Sequence, residues 1–379
     1  MTPRPRFPAL LPLVLLTCIV ASAILSAGCT AAPDPVRIGV LLPANGSLAT
    51  HSLDGLAWAA EALNREGGRP VELVYRDTST GNISAYAEEL AGRGDIDVII
   101  GPATSAELLE IAPLVTGRGK LLMSPSATSG LVTAEFREND LVWRTCSGDG
   151  EQLKAIFGIL SDTGVENVSL VAANTTYGET FARLAPAAAS MHGVRLTGTA
   201  FVEDPDDLAA VAARLSGEEP DTVVAAVYPE EAARLADALS PAGLFLTDAG
   251  RSPYLIERLG LRAEGISGTS LAPDPSTGYA IAYEEVFGEE PPAFAAQTYD
   301  ALLLAVYTAA RQEAAPDEPL AASLRWVVSG DGATLGWDPQ EASEAAAMIR
   351  AGGHPAVTGA SGPLRFGEHS ASGPLAGYY

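Results

Sequence analysis

Small hydroxyl residues collect at two points of one stretch, Asp97–Gly130 (DVIIGPATSAELLEIAPLVTGRGKLLMSPSATSG). The apolar run Val98, Ile99, Ile100 breaks at Gly101-Pro102, and Thr104 and Ser105 then open a helical pattern. The run Leu121, Leu122, Met123 breaks at Ser124-Pro125, followed by Ser126, Thr128 and Ser129. Hydroxyls beside the free N–H groups and positive dipole end of a helix suit a carboxylate or phosphate. One such hydroxyl alone reads as an N-cap. Two neighbouring loops of them point to a site for an anionic or polar ligand. Thr247-Asp248, at the end of the later run Leu244–Leu246, sets an acid where a cation could be met.

Chemistry of other kinds lacks its residues. The sequence has no Gly-x-Ser-x-Gly elbow, no His-Glu-x-x-His and no phosphate-binding G-x-x-x-x-G-K-[ST]. Its histidines (51, 192, 354, 369) are scattered, and the loop residue His51 reads as exposed. No catalytic residue, metal site or cofactor is expected. Cys146 has no marked base nearby and reads as a small buried residue.

The elements that must carry these loops alternate between strand and helix. Apolar runs of three to seven residues closed by Gly or Pro read as buried parallel strands. Helical spacing of Leu108, Ile111, Ala112 and Val115 joins the two runs of the opening stretch into a β-α-β unit. Upstream lie strands at 36–42 and 71–75 and helices at 53–64 and 83–91. The pattern restarts with helix 151–161 and strands 168–172, 194–201, 222–227 and 244–246. Helices return at 280–287, 294–311 and 320–328, and a short strand is expected at Pro363–Phe366. The fold class is therefore α/β: two doubly wound, Rossmann-like lobes joined by a hinge, with the ligand cleft between them.

Length and composition agree with two lobes. The chain has 379 residues, 47% hydrophobic and 18% charged, enough for a sizeable core. A formal charge of −24 disfavours nucleic acid and anionic membrane surfaces as partners. Residues 1–28 read as a signal segment: Arg4 and Arg6, then an apolar run, then Leu25-Ser26-Ala27-Gly28-Cys29. Cys29 is the expected lipidation site, an uncleaved anchor being the other reading. The expected division is signal 1–28, tether 29–35, first lobe 36–146 plus 272–365, and second lobe 147–271 plus 366–379.

The ordered motifs IGVLLP, IGP with T-S, SPSAT, W-R-T, N-T-T-Y-G-E, V-Y-P-E and Q-T-Y-D-A resemble those of the type I periplasmic-binding fold, specifically the leucine/isoleucine/valine-binding proteins of ABC importers. The resemblance covers roughly Val36 to Phe366. It implies that Ser105, Ser126 and Thr128 bind the ligand carboxylate. It places Tyr177 and Tyr228 as second-lobe residues closing on the ligand, Asp248 as the acid for the ligand ammonium, and Phe294 in the side-chain pocket. The implied protein is an extracytoplasmic, lipid-anchored, monomeric receptor, not an enzyme. It would deliver an amino acid or similar small polar solute to a membrane permease. The alternative is a ligand sensor or envelope-enzyme regulator of the same fold.

Overall fold

The computed structural model describes residues 33–45, 53–203, 208–239 and 243–366. The signal segment, Cys29, His51, His369 and residues 367–379 lie outside them. Two compact units divide at Pro35/Val36, and the unit that begins at Val36 holds the sheets and their helices.

Its first sheet is parallel, in the order β2-β1-β3-β4-β5, built from β1 (Val36–Leu42), β2 (Val71–Asp77), β3 (Ile96–Ile100), β4 (Leu121–Ser124) and β5 (Val142–Arg144). The second holds β6 (Asn167–Ala173), β7 (Arg195–Val202), β8 (Thr222–Ala226), β9 (Leu244–Leu246) and β10 (Ser267–Gly268), in the order β10-β9-β8-β6-β7. Read from the other edge, the second order repeats the first. In both sheets the chain reverses direction across the sheet between the first and third strands. That is the switch point at which open α/β sheets bind ligands, outside the carboxyl ends of their strands. Two-residue strands β11 (Thr334–Leu335) and β12 (Ala356–Val357) pair separately.

Helices α1 (Leu53–Glu66), α2 (Ile83–Ala91), α3 (Ser105–Thr116) and α4 (Gly130–Glu135) connect the first sheet; α5 (Asp149–Asp162), α6 (Thr176–Met191), α7 (Leu208–Ser216), α8 (Pro229–Ala238) and α9 (Pro253–Leu259) belong to the second. The chain then returns. Helices α10 (Tyr279–Phe287), α11 (Ala295–Ala314), α12 (Leu320–Val328) and α13 (Pro339–Arg350) contribute to the apolar core on one face of the first sheet, with Val40, Val98 and Ile100. Leu302, Leu303 and Leu304 of α11 are all fully buried, because neighbouring helices and the sheet surround it. Many of the aromatics cluster here. Trp58 contacts Tyr279, Tyr283, Phe287, Tyr299 and Trp337, with ring centroids 5.8–6.4 Å apart.

Several expectations need correction. Helix α13 was not foreseen, although Asp338 caps it, Pro339 opens it, and Ala342, Ala345, Ala346 and Ile349 form its buried face; small alanines give a weak apolar signal. Pro363–Phe366 forms no strand. An isolated antiparallel bridge, Thr358–Pro363, occurs there. The backbone donors of Ala360 and Ser361 go instead to the buried carboxylate of Asp300, at 2.6 and 3.1 Å. Phe366, expected in the second lobe, packs edge-on against Trp143 at 5.4 Å and joins the first-sheet core. Edge strands β5 and β10 were also unforeseen, being too short to show a period.

Candidate ligand-binding site

The turn after β3 is fixed by backbone crowding. A Cβ on Gly101, at φ 113°, would lie 2.1 Å from the carbonyl oxygen of Leu41. Thr104 then caps α3: its hydroxyl accepts from Glu107 N, and Glu107 returns a carboxylate oxygen to Thr104 N at 3.0 Å. Ser105 is thus the first residue of α3, buried, beside that helix's free N–H groups.

The loop after β4 docks on this turn. Ser124 donates to Pro102 O at 2.7 Å and Ser126 donates to Ala103 O at 2.7 Å. Ser105 Oγ accepts from Ser129 N at 3.2 Å, which leaves its own O–H to donate elsewhere. The three hydroxyls expected to meet a carboxylate are therefore not equivalent. That of Ser126 is committed to backbone, that of Ser105 is partly used, and that of Thr128 is buried with no hydrogen-bond partner.

On the opposite side, the strand ends of the second sheet supply Tyr177, after β6, and Tyr228, after β8. Their rings stack with centroids 5.7 Å apart at 29°. Asp248 follows β9, opens a short 3-10 turn (Asp248–Gly250), and is buried. Tyr177 donates its hydroxyl to Asp248 Oδ1 at 2.8 Å and lies 2.7 Å from Thr247 Oγ1. Burial raises the Asp248 pKa, while the Tyr177 hydroxyl, Gln152 and the backbone N–H groups of Asp248 and Ala249 favour the anion. Burial, then the charges of Asp248 and Asp149, hold the Tyr177 phenol well above its usual 10.0.

The two sides touch. Ser129 Oγ and Thr180 Oγ1 of α6 lie 2.5 Å apart, and Asp149 N donates to Thr128 O at 3.1 Å. The chain passes between the sheets at residues 145–148 and 269–274. There Cys146, Leu271, Ala293 and Phe294 form a small apolar cluster of their own. Phe294 takes a left-handed backbone, φ 66°, and caps α11. Its ring packs at the crossing with Cys146, Leu271 and Ala293. Burial pushes the Cys146 thiol up to about 12, and Asp149 and Asp248 reinforce the shift. Those two carboxylates near the thiol were not anticipated, and they suppress its ionisation.

Asp149 is the main residue that sequence reasoning missed. Helix α5 begins at Asp149, not at the expected Glu151, so an apparent loop acid becomes a fully buried helix N-terminus. The signal was present in Gly148-Asp149, a cap followed by an acid in the first turn. Neither carboxylate oxygen of Asp149 has a hydrogen-bond partner, and the same holds for Thr128 Oγ1, Ser147 Oγ and the side-chain amide of Gln297. Buried polar groups normally find partners; His192 Nε2 and the hydroxyls of Tyr279 and Tyr307 are orphans elsewhere, but the grouping of Asp149, Thr128, Ser147 and Gln297 suits a polar ligand. Burial first, and then the charge of Asp248, pushes Asp149 up to about 8; the Thr128 hydroxyl and Arg144 oppose this. The Thr128 hydroxyl is near enough to favour the anion, yet no hydrogen bond joins the two. Arg144 directs three of its N–H donors to Ala127 O, Ser129 O and Thr133 Oγ1. Among the described residues no group of three or more His, Cys, Asp or Glu could hold a metal, and no helix is long and apolar enough to cross a membrane.

Two α/β lobes of matching strand order, with a polar cleft at their switch points, define a two-lobed binding protein. The chain belongs to the periplasmic binding protein family, which it matches over residues 35–360. It is 27% identical over 251 residues to Leu/Ile/Val-binding protein homolog 3 of Brucella melitensis, a match covering 63% of this chain and 64% of that one. It is 26% identical over 212 residues to Leu/Ile/Val-binding protein BraC3 of Rhizobium johnstonii, covering 53% and 57%. Both matches thus span less than two thirds of the relative's length. In structure it resembles the leucine-binding protein LivK of Thermotoga maritima, with a TM-score of 0.67 and 24% identity over 89% of this chain and 93% of that one.

Proposed function

We propose that this chain is an extracytoplasmic receptor that captures an α-amino acid in the cleft and delivers it to the permease of an ABC importer, without catalysis. The observation that carries the reading is the opposition of charges across the cleft. Ser105, Thr128 and the N-terminus of α3 can meet a carboxylate, while buried Asp248, held by Tyr177, can meet an ammonium. Charge-assisted bonds in a dry cleft are the strong ones. The first-lobe groups hold the ligand in either arrangement of the lobes. Tyr177, Tyr228 and Asp248 reach it only when the lobes meet, and that difference in contact is what makes a ligand favour closure. Phe294, at the crossing, would border the ligand's side chain. The names of the relatives make leucine, isoleucine and valine the first candidates. In this reading Cys29 carries the lipid anchor, the signal segment is removed, and the receptor works as a monomer.

A thermal-shift screen tests this on protein unfolded and refolded to strip bound ligand. Amino acids, amides and aromatic acids are compared. A ligand at 100 times its dissociation constant adds about 2.7 kcal/mol of stability. The expected result is a shift with α-amino acids that Asp248→Ala abolishes. A shift with amine-free acids alone removes the role of Asp248, and no shift with any solute removes the transport reading.

A further inference from the structure

The cleft holds a carboxylate more than one ammonium needs. Asp248 has a hydroxyl donor in Tyr177, whereas Asp149 is fully buried and neither of its oxygens has a hydrogen-bond partner. The groups that face Asp149 are few. Asp248 repels its charge, Arg144 and the Thr128 hydroxyl attract it, and Cys146 and Tyr177 beside it are themselves held neutral by burial. No hydrogen bond joins Arg144 to Asp149, and three of the five guanidinium N–H donors go to two carbonyls and a hydroxyl. A buried anion without a partner is costly enough that the group keeps a proton instead.

We propose that Asp149 is a second ligand-binding carboxylate: it holds a proton in the empty cleft, and the ligand's ammonium displaces that proton to solvent on binding. This rests on the amino-acid receptor reading and extends it. Recognition becomes an exchange of cations, and the site selects amines over neutral or purely acidic solutes of equal size. Asp248, already bonded to Tyr177, orients the ammonium, while Asp149 responds to its charge. Affinity then depends on pH with a definite sign. The proton must leave for the ligand to enter, so binding strengthens as pH rises toward the point at which the empty site loses the proton unaided, and levels off beyond it.

The test is isothermal titration of the full-length, ligand-stripped protein with L-leucine, L-isoleucine and L-valine, in phosphate and in Tris, whose ionisation heats differ. The expected result at pH 7 is release of about one proton per ligand, with affinity rising by up to about tenfold per pH unit between pH 6 and 8. Asp149→Asn should release none, show a flat pH profile and bind at least about tenfold more weakly. Asp149→Glu, which keeps the acid, should retain the slope. Binding by the wild type without proton exchange overturns the inference and leaves the receptor reading intact; the wild-type measurement alone decides this if a variant fails to fold. Undiminished affinity in Asp149→Asn overturns it equally. Failure of every α-amino acid to bind overturns the receptor reading and this inference with it.

Discussion

Replacing Asp149 by Asn should stabilise the empty protein at alkaline pH and not at acid pH. The folded protein moves this carboxyl from its ordinary 3.8 to about 8. Because the folded-state value lies above the unfolded one, the native state holds the proton more tightly. The stability this confers is complete at low pH and is lost as pH rises from about 4 to about 8, beyond which the loss is constant. At about 1.4 kcal/mol per pH unit the ceiling is about 6 kcal/mol, and relaxation of the site would bring the real penalty to about half of that. Asn removes the charge but leaves an amide that must find partners, at a cost of about 1–3 kcal/mol. The net gain at pH 8 is therefore up to about 2 kcal/mol, and at pH 5, where the penalty is smaller than the cost of the amide, there is none. For a chain of this size one kcal/mol moves the thermal midpoint by about 2 °C. The assay is the midpoint of stripped wild type and variant measured from pH 5 to 8.5. The variant should melt up to about 4 °C higher at pH 8 and no higher at pH 5. Two curves that run parallel across this range would refute the reasoning, because they would mean that folding leaves the Asp149 proton unperturbed.

Two further outcomes rest on buried groups outside the cation site. Cys146 is fully buried with its thiol pushed up to about 12, so at pH 8 a thiol reagent should modify it only as fast as the protein unfolds; peptide mapping that found rapid labelling in the folded state would contradict that burial. Asp300 takes hydrogen bonds from Ala360 N, Ser361 N and Ser361 Oγ, so Asp300→Ala should cost about 3 kcal/mol and should expose the amides of Ala360 and Ser361 to hydrogen exchange. Retained protection at those two amides would show that the segment is held by other contacts.

Much of this protein was legible in its sequence because the controlling signals are local. Buried strands of three to seven apolar residues, each closed by Gly, Pro or Ser, give the order of elements directly. That order dictates parallel sheets, and parallel sheets put their loops at one end. The family resemblance singles out Ser105, Thr128, Tyr177, Tyr228 and Asp248, and each lies just past a strand end. Edge strands of two or three residues and an alanine-faced helix carry too little pattern to be seen this way.

What only the tertiary structure decided is how each polar group is used. Ser126 looks like Ser105 in sequence, yet its hydroxyl is spent on Ala103 O. Asp149 looks like a solvated loop acid until α5 is seen to start there, with the other lobe closing over it and Asp248 brought beside it. Arg144 would be taken as its partner until three of its donors are traced to Ala127, Ser129 and Thr133. The sequence determines which side chains stand at the strand ends, since periodicity and turn chemistry act over a few residues. Packing of one lobe on the other determines which of them lose water and which lose their partners, and it is that loss which sets their charge.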